Sequence, residues 1–189
     1  MRWDGLFADL EAQAVGLESA ARAAEVDEHI RGEVARLSVR DRLRGAVGSR
    51  LRVGVLGGVP LVGELRRVGP DWLLLREVGP REALVAQVAV VSIGGLGRHS
   101  AAPNSMGVVE SRLDLRHVLR GIARDRSVVR VQLVDGVTVD ATIDRVGADF
   151  VEVAVHPAGE PRRRAAVRDV LLLPAAAIAA VRRRESGSV

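Results

Sequence analysis

The stretch RVGPDWLLL, Arg67 to Leu75, returns as RVGADFVEV, Arg145 to Val153, 78 positions further on (67 to 145). A chain that writes one sentence twice must build one small unit twice, and its fold has to leave room for both copies. The match reaches upstream, where Leu43-Arg44-Gly45 recurs as Leu119-Arg120-Gly121, offset 76. It also reaches downstream, where Leu84 to Ile93 matches Leu172 to Val181 at offset 88. The second copy therefore carries ten additional residues (offset 88 against 78), in a segment that includes His156-Pro157-Ala158-Gly159-Glu160-Pro161-Arg162-Arg163-Arg164.

Each copy begins with a short amphipathic helix. Ser38-Val39-Arg40-Asp41 and Asp114 supply capping residues for it. The period then changes from helical to alternating. Leu51, Val53 and Val55 alternate with Arg52 and Gly54, and Val129, Val131 and Leu133 alternate with Arg130 and Gln132. Gly58 and Asp135-Gly136 are hairpin signals. Second strands are expected over 61–68 and 139–146, and third strands from Trp72 and Phe150. Gly69 and Gly147 suit a strand break with φ > 0, and Asp71 and Asp149 suit Asx turns. Trp72 and Phe150 are expected in equivalent core positions. Five short, bent strands cannot bury both faces of a flat sheet, so each copy is expected to curl into a small barrel.

Upstream of the repeat, Trp3, Phe7, Leu10, Ala14, Leu17, Ala21 and Ala24 fall at alternating spacings of four and three, one stripe of a helix. The phase shifts before Ile30, Val34 and Leu37. One long helix with a stutter and a helical hairpin both fit. Such a helix could pack on its own chain or dimerise as a coiled coil. The expected organisation is an N-terminal helical segment over 1–37, barrels over 38–97 and 114–184, a linker over 98–113 and a tail over 185–189. The fold class is mainly β with α: two five-stranded barrels, each behind a short helix.

The pieces V-x-L-x-x-G, a second strand, V-G-x-D-aromatic and P-x-x-A-I-x-x-V are Val131 to Gly136, Ala141 to Ile143, Val146 to Val151 and Pro174 to Val181. Their first-copy counterparts are Val53 to Gly58, Gly63 to Leu65 and Val68 to Leu73. Together they resemble the Sm-like (SH3-like) barrel family, which includes bacterial Sm-like RNA chaperones. The layout is also similar to uncharacterised two-barrel proteins of high-GC Gram-positive bacteria. The resemblance implies association through strand edges. It does not carry over the family's base-binding residues. Gly69 and Gly147 stand where the family has Asp, and Leu73 and Val151 where it has Asn. The last strand keeps the family's Arg only at Arg182.

Composition narrows the chemistry. Of the 189 residues, 48% are hydrophobic but only 2% aromatic, so the core must come from Val, Leu, Ile and Ala. With no Cys, thiol nucleophiles, disulfides and thiolate metal sites are excluded. The four His lie apart, with no paired-ligand spacing, and read as surface residues. No catalytic residue, metal or cofactor is expected. The net charge is +4, and all 28 cationic side chains are Arg. The dense sets are Arg162, Arg163 and Arg164, and Arg182, Arg183 and Arg184, the candidate contacts to RNA or DNA phosphates. No apolar run is long enough to span a membrane, and a cytoplasmic location is expected. The expected function is a non-enzymatic binding and assembly module with self-association or a protein partner, RNA or DNA binding being the alternative.

Overall fold

The computed structural model describes residues 3–79, 81–102, 113–156 and 169–183. Residues up to Ser38 form one compact unit and those from Val39 onward a second. The first is a single continuous helix, α1 (Trp3–Arg36), so the phase shift in its apolar stripe is a stutter rather than a hairpin. The stripe residues described along it are open: Phe7, Leu10, Leu17, Ile30 and Val34 are each more than half exposed. No helix among the described residues is long and apolar enough to cross a membrane.

The second unit opens with α2 (Val39–Arg44). There follow β1 (Arg50–Val55), β2 (Leu61–Val68), β3 (Trp72–Arg76), β4 (Glu82–Ala86) and β5 (Val90–Gly94). The later half repeats this order: α3 (Leu115–Arg124), then β6 (Val128–Leu133), β7 (Thr138–Val146), β8 (Phe150–Val155), β9 (Asp169–Pro174) and β10 (Ile178–Arg183). The strands form one open, fully antiparallel sheet of ten, ordered β5-β1-β2-β3-β4-β10-β6-β7-β8-β9. Neither half closes on itself through its fourth and fifth strands. Instead β4 pairs with β10, with Ala180 opposite Val85 and Val181 opposite Leu84.

Alternation sets the core. Leu51, Val53, Leu61, Leu65, Leu73, Leu75 and Val85 point inward in the first half beneath Leu43 of α2. Val129, Val131, Val139, Ile143, Val151, Val153 and Leu173 do so in the second, beneath Leu119 of α3. Each fully buried Leu, Ile or Val stabilises the fold by about 1.5–3 kcal/mol relative to exposure. The two cores interlock at the junction: Trp72 and Leu84 from the first half belong to the second cluster, and Ala180 from the second half belongs to the first.

Local geometry corrects one reading of the turns. Among the described residues the left-handed ones are Gly48, Gly57, Gly79, Gly95 and Gly136, together with Arg126, and neither Gly69 nor Gly147 is among them. Glycine is required at those two positions for a different reason. A Cβ on Gly69 would lie 2.3 Å from the Trp72 ring, and one on Gly147 would lie 2.3 Å from the Phe150 ring. The aromatic folds back over the glycine, and no side chain fits beneath it.

Candidate functional site

The junction between the halves is built from three sets of contacts. The first is the strand pair β4·β10. The second is polar: Arg182 Nε donates to Glu77 Oε2 at 3.1 Å, and its Nη1 donates to Gln132 Oε1 at 3.3 Å. Glu77 and Arg182 side chains are only 20% and 25% exposed, so the pair is substantially shielded from water. Close by, the β1–β2 turn meets the β6–β7 turn so tightly that a Cβ on Gly57 would lie 2.2 Å from the Gly136 nitrogen. The third set lies where the chain enters α3. Asp71 Oδ1 accepts from the Leu115 N–H at 2.7 Å, and Trp72 Nε1 donates to the Leu113 carbonyl at 2.6 Å. Asp71 therefore holds a distant segment rather than closing a local Asx turn.

α3 is also clamped to the turn of its own half. Asp114 caps it by accepting from the His117 N–H at 2.8 Å. Arg116 bridges Asp114 Oδ2 at 2.7 Å and the Ala148 carbonyl at 2.6 Å. Burial raises the Asp114 pKa, but the hydrogen bonds from Arg116 and the His117 amide, with the charges of Arg116 and Arg120, outweigh it. The carboxyl is held below its ordinary value. α2 repeats the clamp, Arg40 donating to the Pro70 carbonyl. Arg42 grips the start of the linker through the carbonyls of Gly97, at 2.7 Å, and Arg98, at 3.1 Å.

The ends of the sheet present the same strands uncovered. Leu84 on β4 is 5% exposed at the junction, while Leu172, at the matching place on the edge strand β9, is 59% exposed. Ala179 on β10 is fully buried, while Val91, its match on the edge strand β5, is 60% exposed. Trp72 is 7% exposed under the start of α3. Phe150 is only half-buried and belongs to neither core cluster, which corrects the expectation that both rings are interior.

The predicted cationic residues do not form one patch among the described residues. Arg162, Arg163, Arg164 and Arg184 lie outside the described residues. Arg182 is the junction residue just described. Arg183, exposed at the strand end, lines a shallow depression of about 210 Å³ with Leu84, Val118, Ile122, Val181 and Asp125. A basic grouping that sequence reading missed is Arg124, Arg126 and Arg145, which with Asp144 line a wider depression of about 530 Å³. Its members come from a helix end, a turn and a strand bulge, so no run of Arg announces it. Arg145 also lies 3.7 Å from Glu152.

His29, His99 and His117 are exposed, as expected, but His156 is not: it is 2% exposed, with Nε2 at 3.0 Å from Thr142 Oγ1. Among the described residues there is no group of three or more His, Asp or Glu suited to holding a metal ion. No family model matches the chain, and no curated protein matches it.

Proposed function

We propose that the chain is a duplicated Sm-like unit that works as a non-enzymatic association module, binding protein through the two outer strands of its sheet. The observation that carries this reading is the contrast between matching positions. Leu172 and Val91 are more than half exposed at the sheet ends, whereas Leu84 and Ala179 are buried where one half covers the other. Edge strands also present unpaired N–H and C=O groups, which pair readily with another strand. The β4·β10 pair is an example of such pairing within this same chain. Two small barrels that each complete their hydrophobic cover at a neighbour's edge fit the expected layout of 38–97 and 114–184.

Sedimentation at micromolar concentration tests the proposal. Wild type should run larger than the 20.2 kDa chain. Val170→Lys with Leu172→Lys should return it to monomer with an unchanged circular dichroism spectrum, because both side chains are exposed on β9. A wild-type protein that stays monomeric and captures no protein overturns the proposal. RNA or DNA contact remains the second reading, supported by the Arg124, Arg126 and Arg145 grouping. It requires salt-dependent binding to a single strand or duplex, because phosphate contacts release counterions.

A further inference from the structure

Two turns of the same make differ in whether a described residue is bonded onto them. In the Gly69–Trp72 turn, the Gly69 N–H donates to the Trp72 carbonyl at 2.8 Å, and the Asp71 carbonyl accepts from Gln87 N–H at 2.8 Å. In the Gly147–Phe150 turn the corresponding bonds, Gly147 to Phe150 and Ala175 to Asp149, are 2.9 and 2.7 Å. Each turn folds its ring over its glycine. The first turn is occupied: the segment Leu113–Leu115 lies on it, fixed at Asp71 Oδ1 and Trp72 Nε1. Asp71 and Asp149 are both exposed, but the rings differ: Trp72 is buried and Phe150 only half-buried.

We infer that the Gly147–Phe150 turn is a socket for the segment Leu37–Val39 of a second copy of this chain. The inference rests on the association reading and adds to it the partner and the direction of assembly. The occupant follows from the repeat. Leu43-Arg44-Gly45 matches Leu119-Arg120-Gly121, which places Val39 at the position of Leu115 and Leu37 at that of Leu113. Leu115 is 8% exposed on its turn, whereas Val39, with no such cover, is 54% exposed.

The strand edges call for the same neighbour. Within the chain, the half that lays β10 along β4 also brings α3 to the Gly69 turn. A second copy that laid its β5 along β9 would bring its α2 to the Gly147 turn. Such a contact joins unlike surfaces, so copies add head to tail and either close into a ring or continue as a chain.

One chemical difference makes the socket testable. Trp72 donates through its indole N–H to the Leu113 carbonyl, and Phe150 has no donor to offer the Leu37 carbonyl. Asp149 retains the acceptor, which would take the Val39 N–H. Phe150→Trp should therefore lower the concentration at which the chain self-associates by about two- to tenfold, the worth of one added hydrogen bond. Asp149→Ala should raise it by about tenfold, since it removes a charge-assisted bond. Sedimentation velocity across a concentration series reads both.

The absence of Cys provides a second measurement. A chain carrying Val39→Cys and Ala148→Cys, both at exposed positions, treated with a short bis-maleimide, should give a ladder of linked chains on a denaturing gel, while either single variant should give none. An associating wild type whose variants all share its constants, or single variants that cross-link to themselves, overturns the socket and leaves edge association standing. A monomeric wild type overturns both.

Discussion

Trp72 and Phe150 occupy matching places in the repeat, but truncating them should not cost the same. Trp72→Ala removes a ring that is 7% exposed and wedged between Gly69 and the start of α3. Large-to-small changes of this kind cost about 3–5 kcal/mol. The change also removes the donor that satisfies the Leu113 carbonyl, worth a further ~1 kcal/mol. Phe150→Ala removes a half-buried ring. Roughly two-thirds of the about 150 Å² that an aromatic side chain buries, at about 25 cal/mol per Å², gives ~2.5 kcal/mol. The two variants should thus differ by about 1.5–3.5 kcal/mol. With a urea slope of roughly 2 kcal/mol per M, their midpoints should sit about 1 M apart. Far-UV circular dichroism is the suitable probe, because Trp72→Ala leaves Trp3 as the sole tryptophan. The measurement belongs at a concentration below self-association. Equal losses, or a larger loss at Phe150, would refute the claim that the first turn is the better covered of the two. At higher concentration the Phe150→Ala loss should grow if the socket fills.

The glycines beneath the rings should follow the same asymmetry. Gly69→Ala forces a methyl into a ring that cannot swing away and should cost about 1–3 kcal/mol, whereas Gly147→Ala should cost less because Phe150 can move outward; thermal unfolding compares them. Asp114→Ala should destabilise the fold by about 1 kcal/mol at pH 7 through loss of the α3 cap. Because the folded carboxyl titrates below its ordinary value of 3.8, its contribution is complete above that value and is lost as pH falls through the folded pKa. The gap between wild type and variant should therefore narrow below pH 3.8, which acid titration of urea midpoints would show or refute. Glu77→Ala and Arg182→Ala should be less than additive by about 1 kcal/mol in a double-mutant cycle, and full additivity would mean that the ion pair contributes nothing to the junction.

The order of elements in the β-rich unit was legible because its signals are local. Alternation at Leu51, Val53 and Val55 and at Val129, Val131 and Leu133 marks strands, and the glycines at 57–58 and 136 mark hairpins. The Ser and Asp residues before each short helix mark its start. Such patterns need only the few residues beside them, so a single sequence carries them in full. What covers each face was not legible. Trp72 and Phe150 have nearly identical neighbours in the chain, yet one is buried and one half-open, because the start of α3, some forty residues further on, lies against Trp72. Arg182 reads as part of a free cationic run, but it sits in the junction, since Glu77 reaches it from 105 residues away in sequence. His156 reads as a loop histidine and is interior, held against Thr142 of the adjacent strand. Period and turn chemistry are properties of the chain itself. Burial and charge pairing depend on what long-range packing brings alongside, and the structure decided those.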